Sequence, residues 1–289
     1  MAGVAPFHSM AADLPQLNSL WIGPYLHPIH RLCLGSAVYH GHRVRLFSYG
    51  PLDGVPDGVE LANAEEVMPK ASMFLHAKTG SPAPFADRFR LKLIAMGFGA
   101  WVDTDVLFVK PLRSASPDIF GWEDEKLIGN AVLGLDPSGE ILKTVSGLIE
   151  DDHFTPPWWS PPRLAWLRLR EALGLSQHVS AMPYGTTGPD LLTWAIRTRR
   201  REHLAQSRQV FYPLPFRNKL EVFRKNSGWH SLSTLPDEVI AIHLWFQGLL
   251  GGLDTMKNGS SVVPTAERGS LLHEVAQRIG LADAIGAHG

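Results

Sequence analysis

Two carboxylates one residue apart, Asp103 and Asp105, close the apolar run 98–102 of this 289-residue chain. In an extended segment alternate side chains share a face, so both carboxylates are expected to point one way and Thr104 the other. At about 5 Å and an effective dielectric near 20, two unit negative charges repel by about 3 kcal/mol. A divalent cation turns that repulsion into a ligand set. Hard oxygen donors suit Mg²⁺ or Mn²⁺, ions that keep several waters and bind substrate phosphates beside one or two carboxylates. The plain alternative is a pair of solvated turn residues. Against it stand Phe98 and Trp101 before the pair and Val106, Leu107 and Phe108 after it.

Holding such a pair in place takes a rigid frame, and residues 84–112 outline it. The segment reads as a helix over 85–96, a stop at Gly97 and a strand that ends at the Asp pair. Asp87 and Arg90 are three apart on that helix and share a face. There they are placed to hold sugar and ribose hydroxyls or, in the ordinary case, to form a surface ion pair. Upstream, strands over 18–22, 43–49 and 59–62 and a helix over 28–39 give the pattern of a parallel sheet with crossover helices. The expected fold class is therefore α/β, with a mostly parallel central sheet flanked by helices. In open sheets of that kind ligands collect at the carboxyl ends of strands, which is where the Asp pair lies.

Downstream, strands over 119–122 and 127–135 and a helix over 138–150 follow. The proline-rich segment 151–162 reads as a flap, and 163–175 as a helix. Another helix opens at Gly188-Pro189-Asp190 and runs into the basic stretch 197–201. Residues 210–216 read as a short extended piece and 239–246 as a buried strand ending by Gly248. Residues 1–17 form a flexible N-terminus and 251–264 a flexible link, before a last helix over 270–279 and a frayed tail.

Composition narrows the classes. With 45% hydrophobic and 19% charged residues the chain fits one large globular domain, alone or with a small appendage. A net charge of −1 gives no global attraction to nucleic acid, so none is expected as a partner. Cys33 is the sole cysteine, which excludes an internal disulfide framework and a Cys-rich zinc site and fits a reducing compartment. The first residues lack a signal-peptide pattern, and no apolar run is long enough to span a bilayer. The expected location is cytoplasmic. Trp158, Trp159 and Trp166 with Arg163, Arg168, Arg170 and the 197–201 arginines offer a cationic, aromatic surface for a lipid-linked acceptor at the inner face of a membrane. The ordinary account is a flap plus solvated helix faces. No dinucleotide fingerprint, phosphate loop or H-E-x-x-H occurs.

The run Asp87-x-x-Arg90, then apolar residues to Gly99, then Trp101-Val102-Asp103-Thr104-Asp105 resembles the core of GT-A-fold sugar-nucleotide transferases. It is most similar to glycosyltransferase family 32 and the related α-1,4-galactosyltransferases, whose pattern is S-D-x-x-R, an apolar helix, paired glycines, an aromatic and D-x-D. Ala86 stands here for the serine and Gly97-Phe98-Gly99 for the glycine pair. Leu20-Trp21-Ile22-Gly23 resembles the family's first strand, which implies Trp21 near a uracil ring. Asn130 matches a residue that faces the donor sugar. Gly188-Pro189-Asp190 resembles a helix start close to the reaction centre, making Asp190 a candidate for contact with sugar or acceptor. His243 and Trp245 match a late H-x-W segment whose His completes the metal site, with Gln247 where the family has Asn.

The resemblance covers about residues 18–248. It implies a catalytic domain over 18–250, with a donor half to about 135 and an acceptor half beyond, followed by a linker and helix over 251–289. The reaction implied is retaining, metal-dependent transfer of a hexose from a nucleotide sugar, UDP-linked, to a hydroxyl of a glycan or glycolipid acceptor. Asp103, Asp105 and His243 would hold Mn²⁺ or Mg²⁺; Asp103, Asp105 and Asp190 are the catalytic candidates. Trp21, Asp87, Arg90, Asn130, Gly188 and Trp245 are the substrate-binding candidates. Two other readings stay open. One is a haloacid-dehalogenase-like phosphatase with Asp103 as phosphoryl-accepting nucleophile and Asp105 as general acid/base, against which Leu107 and the motif's late position count. The other is a transferase-like scaffold that binds nucleotide or glycan without turnover.

Overall fold

The structure, a computed structural model, describes residues 14–246 and 265–282. The expectations placed on residues 1–13, Gln247, Gly248, the link 251–264 and the tail 283–289 lie outside the described residues. In chain order come β1 (Leu17–Trp21), α1 (Pro28–Tyr39), β2 (Val44–Ser48), β3 (Val59–Asn63), α2 (Ala83–Ala95) and β4 (Ala100–Val102). They are followed by β5 (Val106–Phe108), β6 (Ile119–Trp122), β7 (Ile128–Gly134), α3 (Glu140–Ile149) and α4 (Pro161–Ala172). The last elements are α5 (Leu191–Thr198), α6 (Arg208–Phe211), β8 (Ala241–His243) and α7 (Leu271–Arg278).

This is an α/β fold built on a six-stranded sheet in the order β3-β2-β1-β4-β7-β6. β3, β2, β1 and β4 run parallel, while β7 runs antiparallel to both its neighbours, β4 and the edge strand β6. Alternate residues feed opposite faces, as strand geometry requires. Leu20, Phe47 and Trp101 pack with Phe85, Phe89 and Ile94 of α2, whereas Leu17, Leu46 and Val102 pack with Leu34 and Ala37 of α1. A parallel sheet needs cover on both faces, and these two helices help provide it.

The centre of the sheet is polar at two positions. Asn18 and Ser19 are fully buried in β1. Asn18 donates to the carbonyls of Phe98 and Ala100 at 2.9 and 3.1 Å, and Ser19 donates to Val102 at 2.5 Å. Regular pairing between β1 and β4 covers only Leu17 and Asn18, so side chains continue the stitching where the ladder stops. The tight passage from α2 into β4 depends on Gly99, whose φ is +110° and where a Cβ would lie 2.6 Å from the Gln16 carbonyl.

Four local expectations are corrected. Asp103-Thr104-Asp105 is a turn, not an extended strand end, because β5 leaves the main sheet to pair antiparallel with β8. The helix after Gly188 takes in only Arg197 of the basic run and ends at Thr198: Arg200 has φ +54°, and Arg197 and Arg199 donate to Lys126 and Thr144. Residues 210–216 begin in the one-turn helix α6, which buries Phe211 and Tyr212. Finally, only Ala241–His243 of the expected strand 239–246 is ladder-paired, since Trp245 adopts φ +57°, outside strand geometry.

Candidate metal centre

β4 ends when Asp103 N–H donates to Ala131 of β7 at 2.7 Å. Val106 N–H then returns to the Asp103 carbonyl at 3.1 Å and closes the turn. The two carboxylates are therefore gathered by a tight turn rather than by strand alternation. Antiparallel register sets Val106 opposite His243, which brings the imidazole alongside Asp105. Leu244 N–H donates to the Asp105 carbonyl at 3.0 Å, and the left-handed Trp245 turns the chain so that Phe246 N–H reaches Asp105 Oδ2 at 2.9 Å. His243 Nε2 lies 3.4 Å from the same oxygen.

One donor atom from each of Asp103, Asp105 and His243 falls within 4.8 Å of the others. Two carboxylates and an imidazole are a donor set that suits Mn²⁺ and accepts Mg²⁺. His243 Nδ1 is buried without a hydrogen-bond partner. The side chains fit a divalent ion, though they do not identify which. Burial opposes charge on Asp105, yet His243, His30 and the Phe246 N–H together hold its carboxyl well below the usual range. Burial likewise pulls the His243 imidazole down, but Asp105, Asp103 and Glu123 outweigh it and raise its pKa.

Asp103 is held from behind. Its Oδ1 accepts the Trp101 indole N–H at 2.7 Å and lies 3.2 Å from Arg90 Nη2. Arg90 also lies 3.4 Å from Asp87, donates to the Asn130 carbonyl and stands 4.9 Å over the Trp101 ring. Asp87 is buried and joins three elements. It accepts from Asn130 Nδ2 at 3.0 Å and from Thr187 Oγ1 at 2.6 Å besides pairing with Arg90. Burial pushes its carboxyl up, and those three partners work against the push. Gly188 makes this junction fit, because a Cβ there would lie 2.6 Å from Asn130 Nδ2 and 3.0 Å from both Asp87 oxygens.

The other expected site residues are placed as follows. Trp21 is half-buried at the end of β1, donates to the Tyr25 carbonyl at 3.0 Å and lies 4.5 Å from the His30 ring. Trp245 donates to Leu214 at 2.8 Å and packs 4.2 Å from the His243 ring, so it braces the third donor. Asp190 is half-buried, its carboxyl is raised by burial, and its side chain has no hydrogen-bond or ion-pair partner among the described residues.

Sequence reasoning missed several neighbours. His30 is buried against Trp21 and Phe246, and burial lowers its pKa to about 4. Neither of its ring nitrogens completes a hydrogen bond, although the Thr104 backbone is close. The His27-x-x-His30 spacing at the start of α1 was the available signal. Tyr212 OH accepts from the Ala131 and Val132 N–H groups at 3.0 and 3.4 Å and sets its ring edge-on to His243. Glu123 carries a carboxyl raised by burial and interacts with His243 and Asp103. It sits in a charged hairpin that reads as an ordinary solvated turn.

No family model matches the chain, and no curated protein does. Among solved structures the chain is similar to one titled PaToxG glycosyltransferase, at 13% identity and a TM-score of 0.34, over 64% of this chain and 70% of that one. A likeness at that level assigns no reaction to this chain.

Proposed function

We propose that this chain is a metal-dependent glycosyltransferase of the GT-A kind, similar to glycosyltransferase family 32. It would move a hexose from a nucleotide sugar to a hydroxyl of a glycan or glycolipid. The observation that carries this reading is the meeting of Asp103, Asp105 and His243 within 4.8 Å beyond the carboxyl end of a central strand. Bound Mn²⁺ or Mg²⁺ would supply neutralisation of the charge on a departing diphosphate.

Each remaining residue has a role that its contacts support. Arg90 and Trp101 fix one Asp103 oxygen and so orient the other. Asp87 ties α2, Asn130 and Thr187 into one rigid wall, with Arg90 and Gly188 as parts of it. Trp21 offers an aromatic surface to a base such as uracil. Asp190, without a side-chain partner among the described residues, is the carboxyl left for sugar or acceptor. The donor half would be residues 18–135 and the acceptor half 136–250. Retention of configuration belongs to the same proposal, and no nucleophile is assigned.

The test is a nucleotide-sugar screen with Mn²⁺, reading free UDP or GDP, with Asp105→Ala as control. Unchanged turnover in that variant would sink the metal assignment. Cleavage of p-nitrophenyl phosphate without nucleotide release would move the assignment to a phosphatase. Nucleotide binding without turnover would move it to a scaffold.

A further inference from the structure

Helix α4 is turned inside out. Among its residues only Leu167 is buried. The exposed side carries Ala165, Trp166, Leu169 and, at the cap, Leu173, with Trp166, Leu169 and Leu173 at 52%, 60% and 65% exposure. Their spacing is that of one helical face, and it points away from the protein. No charged residue interrupts it. Arg163 and Arg170 border the face on one side and Arg168 on the other, where the exposed Glu171, one turn on, lines the same cleft as Arg168.

The arginines lie along the aromatic surface. Arg170 stands 4.8 Å over the Trp166 ring, and Arg163 stands 3.4 Å over Trp159. Part of the rest of the cationic, aromatic surface expected from sequence is tied to the protein itself, while Arg200 and Arg201 stay exposed. Trp158 packs 5.7 Å from Trp194, and Arg197 and Arg199 are bonded to Lys126 and Thr144. On α4 itself the surface is one uncharged strip bordered by arginines, on a chain whose net charge is only −1.

We infer that α4 is a docking face for an anionic lipid bilayer, lying in the plane of the interface. Trp166, Leu169 and Leu173 would enter the headgroup boundary while the arginines reach lipid phosphates. Long arginine stems allow that arrangement, since they cover apolar surface while the guanidinium stays at the polar level. The cationic edges on both sides favour a negatively charged apolar surface over a second copy of this chain, whose identical edges would meet like charge. The inference does not depend on the transferase reading.

The experiment is co-flotation of the full chain with phosphatidylcholine vesicles, with and without a third phosphatidylserine. Trp166→Glu/Leu169→Glu and Arg163→Gln/Arg168→Gln/Arg170→Gln serve as variants, with circular dichroism to confirm folding. Wild type is expected to float with the anionic vesicles, less so as salt rises. Each variant should partition about tenfold less or weaker still. Equal flotation of the Glu variant, or no flotation of wild type, overturns the inference. Loss of a dimer in the Glu variant without vesicle binding by wild type assigns the face to contact between copies instead.

Discussion

Arg90 Nη2 lies 3.2 Å from Asp103 Oδ1 and 3.4 Å from Asp87 Oδ1, so one guanidinium ties helix α2 to the turn that carries Asp103 and Asp105. Its third bond, to the Asn130 carbonyl, adds β7 to the same junction. The planar fork presents Nη1 to the Asn130 carbonyl and Nη2 to both carboxylates, a spread that a compact ammonium does not reproduce.

Arg90→Ala is therefore expected to cost about 3–5 kcal/mol in urea unfolding, because it leaves two carboxylates without their buried cation. Arg90→Lys should recover only part of that loss. Equal stability of the Lys variant and wild type would show that charge alone suffices and that the fork geometry is irrelevant.

The carboxylate–imidazole set can be tested without any substrate. Mn²⁺ at a hundredfold excess over its Kd should stabilise the native chain by about 2.7 kcal/mol in denaturant titrations. Asp105→Ala should abolish the gain. His243→Ala should weaken it, since Asp105 and Asp103 remain. A metal-induced shift that survives in Asp105→Ala would place the ion elsewhere.

The frame of this centre was legible in local patterns. Gly and Pro punctuation and short apolar runs located β1, α1, β2 and β3 to within a residue or two, while Asp-x-Asp after an apolar run picked out the segment but read as a strand end where the chain turns. What local pattern does not carry is pairing at a distance. Asp103-Thr104-Asp105 turns because β5 finds β8, which lies far along the chain, so an isolated reading of 100–108 gives one continuous strand. Tyr212 and Glu123 escaped for the same reason, since each approaches His243 only through the packing of α6 and the β6–β7 hairpin on the centre. His243 was reached by resemblance. Its burial on a short apolar strand gave no local sign that an acidic turn lay alongside.

Gly188 offers a steric test of the wall behind Asp103. The backbone there has φ −106° and ψ −108°, and an added methyl would collide with Asn130 and Asp87 together. Gly188→Ala should destabilise by about 1–3 kcal/mol, the range for forcing extra volume into a packed site. Differential scanning calorimetry checks it, and an unchanged Tm would mean that the Asp87 junction tolerates displacement. Thr187→Val, which removes one hydrogen bond to the buried Asp87 while keeping the shape, should cost a comparable amount, about 1–3 kcal/mol.

The proline-rich segment 151–162 is tied to helix α2 by Arg88, which pairs with Asp152 and lies 5.1 Å over the Phe74 ring. The Arg88 hydrogen bond, acting against a small burial effect, holds the Asp152 carboxyl below its ordinary pKa. A carboxyl depressed in the folded state contributes stability above its unfolded pKa, about 3.9, and loses it as pH falls through the lower folded value. Wild type should therefore exceed Asp152→Asn in urea midpoint near neutral pH, with the difference shrinking toward zero on acidification below about pH 4. Because Asp152 is half exposed, the difference should also fall with added salt. A difference constant across that pH range would mean that the contact works through shape, with Asn able to replace the charge.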